Sequence, residues 1–168
     1  ADKMVVEEVQ DRSRDHIPII KETMSGSPWG MSQFTGTPKT PENTLEGLWL
    51  SSSQAEWAIP CLACGKWNIA SAGHDLERMI GPWRADISED NPGTICASPK
   101  CGKVIHPKLG RWLHRHPDKR FQFAGYHIPQ PVMWIHYSQP AKWAELLAKR
   151  EGLAPLERGA TRTGESRR

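Results

Sequence analysis

Cys61-Leu62-Ala63-Cys64-Gly65-Lys66 and, further along, Cys96-Ala97-Ser98-Pro99-Lys100-Cys101-Gly102-Lys103 are two versions of one phrase: a cysteine pair followed by glycine and lysine. Two thiolates held close on a turn can share a tetrahedral ion at about 2.3 Å, and the glycine lets the backbone reverse with its N–H groups aimed at the sulfurs. Ile69 and Ile105 follow the two pairs at nearly the same offset, as expected if each turn feeds a strand. The pattern reads as a zinc-ribbon-like module in which Cys61, Cys64, Cys96 and Cys101 bind one structural Zn2+. Structural zinc contributes on the order of 10 kcal/mol in small modules, which replaces the core this loop-rich stretch lacks. A redox pair at Cys61 and Cys64, or four unrelated buried thiols, leaves the second phrase unexplained. The gap between Cys96 and Cys101 is the wider one, and His106 is the substitute ligand should Cys96 fall short. His74, His114 and His116 read as surface residues, and most of Ala70 to Asn91 as a loop or hairpin insertion.

Around this module the composition sets limits. With 168 residues the chain can bury one ordinary core, or a small domain plus a satellite module. At 38% hydrophobic and 24% charged residues, with 14 Gly and 14 Pro, it suits a soluble, loop-rich protein better than a helical bundle. A formal net charge of +3 is compatible with nucleic-acid binding without arguing for it. No run approaches the roughly 20 apolar residues that span a bilayer, and no secretory pattern opens the chain. The expectation is a cytoplasmic protein with no membrane partner, and in a reducing compartment paired cysteines hold metal rather than form crosslinks. The chain opens on Ala1-Asp2-Lys3 without a methionine, which reads as a piece of something longer.

Upstream of the cysteines, strand and helix alternate. Met4-Val5-Val6 predicts a short buried strand closing on Glu7 and Glu8, Ile17 to Met24 a helix with Pro18 in its first turn, and Gln33-Phe34-Thr35 a second strand. Thr44 is positioned to cap a helix over Leu45 to Leu50. Downstream, Ala124 to Ile135 is strand-like, and a helix from Ala141 to Glu151 carries Trp143, Leu146 and Leu147 as its buried stripe before Gly152 stops it. The tail from Ala154 has almost nothing to bury and reads as disordered. This divides the chain into 1–57 as an α/β layer, 58–123 as the metal module, 124–153 as a strand-helix extension and 154–168 as a tail.

Two further features carry chemistry. An apolar strand closing on two carboxylates is how many nucleotide-hydrolysing folds place one acid on magnesium and the next on the attacking water. Adjacent parallel strands deliver their loops to one sheet edge, so Thr35-Gly36-Thr37-Pro38 belongs beside Glu7 and Glu8. Lys108, Arg111, His114, Arg115, His116, Lys119 and Arg120 crowd positive charge around Trp112. Such a patch either tracks phosphates with an indole on a base, or is a solvated hairpin whose Trp112 packs back onto the module. Trp29, Trp49, Trp57, Trp67, Trp83 and Trp134 read as core residues without chemistry.

The order of these motifs, Val5-Val6-Glu7-Glu8-Val9-Gln10-Asp11, Phe34-Thr35-Gly36-Thr37-Pro38-Lys39-Thr40, Ser51-Ser52-Ser53-Gln54 to Trp57, Cys61-x2-Cys64-Gly65 and Gly125-Tyr126-His127-Ile128-Pro129-Gln130, resembles the large terminase subunit of tailed bacteriophages. That resemblance implies a partial P-loop ATPase sheet of α/β class with the zinc-ribbon-like β module inserted beside it. It implies Glu7 and Glu8 as the Walker B pair, with Glu8 the catalytic carboxylate. It also implies Thr35, Gly36 and Thr37 as the motif coupling hydrolysis to DNA movement. Double-stranded DNA, other terminase subunits and the portal are the partners it implies, in the host cytoplasm, with Mg2+ and ATP belonging to the intact family member. Lys108, Arg111, Arg115, Lys119 and Arg120 are the candidate DNA contacts. Glu7 stands where the family usually has Asp, and neither a G-x-x-x-x-G-K-[ST] loop nor an acidic nuclease cluster occurs in these residues. The competing reading is a stand-alone zinc-ribbon module that binds nucleic acid or another subunit without catalysis.

Overall fold

A computed structural model of the chain describes residues 2–39, 42–71 and 73–162. It is a mixed α/β protein with two sheets, and the chain divides into two compact units. One comprises Ala1–Gln54 with His114–Tyr126, the other Ala55–Leu113 with His127–Arg168. The second unit thus takes in the helical stretch after His127, and the first takes back a segment from within 58–123.

In the first unit, strands β1 (Lys3–Val6) and β2 (Met31–Phe34) pair in parallel, with Val5 opposite Gln33 and Val6 opposite Phe34. A parallel pair needs a crossover, and helix α1 (His16–Glu22) lies within it, with Ile17 buried and the Thr23 hydroxyl reaching Met4 Sδ. Met31 N–H donates to Asp2 O and Thr35 N–H to Val6 O, each at 2.9 Å. In a parallel ladder the backbone groups facing a given partner come from alternate residues, so Lys3, Val5 and Glu7 turn theirs away from β2, along the outer edge of β1. Val5 and Met31 are exposed, leaving one face of this small sheet open.

Helix α2 (Thr44–Ser51) is capped by Asn43, whose side chain accepts from Glu46 N–H. This corrects the assignment of the cap to Thr44, whose hydroxyl instead donates to Arg12 O. Ser53, fully buried, then ties the returning segment down: its N–H donates to Phe123 O, its O accepts from His116 N–H, and its Oγ accepts from Gly125 N–H. His114 is half-buried, its Nδ1 lying 2.9 Å from Ser53 Oγ.

The second sheet has strands β3 (Ala55–Pro60), β4 (Trp67–Ile69) and β5 (Arg111–His114), in the order β4-β3-β5, with β6 (Tyr126–His127) also pairing β3. Two hydrophobic clusters support the second unit. Ile59, Ala70, Met79, Ala97 and Ile105 enclose Cys61 and Cys96, after a short helix α3 (Leu76–Met79). Ile87, Tyr137, Trp143 and Leu146 form the other, from α4 (Trp134–Tyr137) and α5 (Pro140–Arg162).

The predicted stripe is present: Trp143 is fully buried, its indole donates to Gly81 O at 2.9 Å, and its ring covers Gly93, where any Cβ would overlap it. The expected stop at Gly152 is corrected, because the helix runs on to Arg162; one glycine costs a helix only about 1 kcal/mol. Residues 163–168 of the expected tail lie outside the described residues. The strand expected over 124–135 is also corrected: only Tyr126 and His127 pair, and Pro129 and Pro131, lacking N–H groups, turn the chain into a 3-10 segment, Gln130–Val132. Trp29, Trp67, Trp83 and Trp134 are exposed rather than core.

Candidate metal centre and acidic strand end

Each cysteine pair sits on a tight reversal. Cys61 N–H donates to Lys66 O at 2.8 Å and Gly65 N–H to Cys61 O at 2.8 Å; in the second, Cys96 N–H donates to Lys103 O at 2.7 Å and Gly102 N–H to Ser98 O at 3.3 Å. Gly65 and Gly102 hold φ of +75° and +57°, a left-handed conformation that glycine takes at no steric cost. The first turn feeds β4, whereas the second is followed by one isolated bridge, Ile95 to Val104. The reversals bring Cys61 Sγ to 3.7 Å from Cys101 Sγ and Cys64 Sγ to 3.6 Å from Cys96 Sγ, with all four sulfurs within 4.8 Å of one another. A tetrahedron with metal–sulfur bonds of about 2.3 Å has edges of about 3.8 Å, so the four thiols can hold one metal ion. Cys61 and Cys96 are buried and Cys64 is exposed.

Burial opposes the Cys61 thiolate, but the N–H groups of Cys64 and Ala63, with the Cys64 and Cys101 thiols, outweigh it and bring its pKa down to about 7. Burial pushes Cys96 up to about 12, against the Ser98 N–H and with the neighbouring thiols adding to the rise. Cys101 is lowered by the Lys103 N–H, yet burial and the thiols of Cys61 and Cys64 leave it raised overall. Four sulfurs this close ionise together only around a cation, which is what a divalent metal supplies.

His106 is not among the clustered ligands: its Nδ1 accepts from Lys108 N–H at 3.2 Å and its ring packs edge-on against Tyr137. Cys96 spans the wider gap because Ser98 O takes both Cys101 N–H and Gly102 N–H, folding the extra residues into the turn. Asn68, which sequence reading passed over, is fully buried between Trp67 and Ile69. A lone amide in an apolar strand was the available signal.

At the carboxyl ends of β1 and β2, Glu8 adopts left-handed φ 51° and ψ 42°, uncommon for a non-glycine residue. Gln10, nearly buried, donates from Nε2 to the Glu8 carboxylate and accepts Thr37 N–H at 3.2 Å on Oε1. Gly36 is needed for this bridge, since a Cβ there would overlap Gln10 Oε1. Glu8 and the Thr35-Gly36-Thr37 turn therefore come together at one sheet edge, while Glu7 is exposed beside them. Gln10 is the second residue that sequence reading missed.

The basic stretch is divided between the two units. Lys108 and Arg111 belong to the second unit, Arg115, Lys119 and Arg120 to the first. Lys108 pairs with Glu89, Arg111 stacks 4.1 Å over Trp67, and Arg120 stacks 4.4 Å over the exposed ring of Phe121. Trp112 packs against Trp57, ring centroids 4.9 Å apart. Among the described residues no helix is long and apolar enough to cross a membrane. No protein-family model matches the chain, nor does any curated protein or solved structure.

Proposed function

We propose that this chain is part of a DNA-packaging ATPase of the kind represented by the large terminase subunit of tailed bacteriophages, with a structural Zn2+ held by Cys61, Cys64, Cys96 and Cys101 in a zinc-ribbon-like module. The observation that carries the ATPase reading is the shared edge of β1 and β2, where Gln10 bonds to both Glu8 and the Thr37 backbone. In this reading Glu7 holds Mg2+, Glu8 orients the attacking water, and Gln10 relays the state of that carboxylate to the Thr35-Gly36-Thr37 turn. Among the described residues β1 pairs only with β2, which supports the reading, because a P-loop sheet adds a further strand at the other edge. Double-stranded DNA, other terminase subunits and the portal are the partners of this motor, in the host cytoplasm.

The test is a longer polypeptide that supplies a G-x-x-x-x-G-K-[ST] loop ahead of these residues. DNA-stimulated ATP hydrolysis is expected, and Glu8→Gln lowers it by roughly a hundredfold or more with metal content unchanged. An inactive polypeptide that is fully folded and metal-loaded overturns the reading.

A stand-alone nucleic-acid-binding module is the second reading, favoured by the Arg111–Trp67 and Arg120–Phe121 stacks. It requires salt-dependent DNA affinity in this chain alone, weakened by Arg111→Glu and Arg115→Glu. A flat titration at low salt excludes it.

A further inference from the structure

The two cysteine turns are separate pieces of backbone, and something must set the distance between them. Among the described residues no backbone-to-backbone hydrogen bond joins one turn to the other. Asn68 supplies the missing connection. Its Nδ2 donates to Ile59 O and to Lys66 O, both at 3.1 Å, and its Oδ1 accepts Ala97 N–H at 2.8 Å. Ile59 lies on the strand entering the first turn, and Lys66 O also receives Cys61 N–H, closing that turn. Ala97 follows Cys96 directly. One fully buried amide is thus tied to the approach of the first turn, to its closure and to the second turn beside its first thiol, with both of its hydrogens used.

We propose that Asn68 is a positioning residue for the metal centre: by clamping Ala97 to Ile59 and Lys66 it sets the spacing of the two thiol pairs and so the affinity and geometry of coordination. This rests on the metal reading of the four cysteines. Partners that orient metal ligands without touching the ion commonly change metal affinity by about 10–100-fold when removed. The bond to Ala97 works through the backbone: it holds the chain between Cys96 and Ser98, whose N–H is directed at the Cys96 sulfur. When it is lost, that N–H and the Cys96 thiol are free to shift together against the Cys61–Cys64 pair. A misplaced sulfur lengthens one metal bond, which lowers affinity and distorts the tetrahedron.

The probe is Co2+, whose absorption reports the number of thiolates and the symmetry around the ion. The intact chain, Asn68→Ala, Asn68→Asp and Leu146→Ala are each titrated with Co2+ and then competed with Zn2+. Leu146→Ala opens a cavity in the second cluster of the same unit, away from the cysteines, and so shows what lost stability alone does. Asn68→Asp keeps the acceptor for Ala97 N–H but sets a carboxylate oxygen against two carbonyls, and it decides the matter if Asn68→Ala does not fold. The expected result is about tenfold or greater loss of Co2+ affinity in the Asn68 variants, with ligand-field bands shifted from those of the intact chain, and unshifted bands in Leu146→Ala. Asn68 variants whose bands coincide with the intact chain's, and whose affinity falls no further than that of Leu146→Ala, overturn the proposal. Failure of the intact chain to give a four-thiolate cobalt spectrum instead overturns the metal centre itself, so the two failures are distinguishable.

Discussion

Cys61, Cys64, Cys96 and Cys101 are the residues on which most depends, because only a shared cation lets four sulfurs within 4.8 Å ionise together. With Cys96 pushed up to about 12 and Cys101 raised above its ordinary value, both carry protons at neutral pH in the metal-free chain and must release them on binding. Apparent Zn2+ affinity is therefore expected to rise with pH around neutrality, by at least about hundredfold per unit from the protons of Cys96 and Cys101 with part of one from Cys61, and to fall as the solution is acidified. Calorimetry at pH 7 in buffers of different ionisation enthalpy measures the protons released, and a pH-independent affinity contradicts the assignment. Gly36 makes a separate residue-scale prediction. Its substitution by alanine displaces Gln10 Oε1 rather than backbone, so the fold persists while Thr37 loses its bond, seen as faster amide exchange at Thr37 with unchanged protection in α1. Trp143→Ala empties the centre of the second cluster and is expected to cost about 3–5 kcal/mol in denaturant unfolding.

At the scale of elements, the two cysteine turns were readable in advance because a thiol pair with a following glycine specifies a local reversal from adjacent residues alone. The same holds for the positions of α1 and β2, for the start of α5 and for the existence, though not the burial, of β1. Reading failed where an element's fate lay with distant partners. Trp29, Trp67, Trp83 and Trp134 have core-like side chains yet face outward, because a small unit lacks enough interior to hold them all. The basic run from Lys108 to Arg120 is divided between the two units, and Lys108 pairs with Glu89. If the remaining arginines contact phosphates, Arg111→Glu and Arg120→Glu each reduce the slope of log affinity against log salt by about 1, measured with duplex DNA over a range of ionic strength. Slopes unchanged in both variants exclude phosphate contact by either side chain.

For the whole molecule, the hydrophobic cluster of the second unit contains Cys61 and Cys96, with Cys101 packed against it, so metal removal is expected to unfold the unit rather than merely empty a site. Chelation should release the Trp143 indole to water, read as a red shift of tryptophan emission, and Zn2+ should reverse it; native-like emission after complete chelation counts against a structural role. The acidic strand end was legible only as a motif. The parallel pairing of β1 with β2, and the Gln10 bridge between Glu8 and Thr37, arise from residues far apart in the chain. By itself the sequence determined which side chains can bind metal, where the backbone reverses and which helix carries Trp143, because those properties depend on residue type and near neighbours. Only the tertiary structure decided that the two thiol pairs converge, that Asn68 joins their turns, and that Ser53 holds the returning segment, because these contacts form when distant stretches share one buried volume and must satisfy each other's polar groups there.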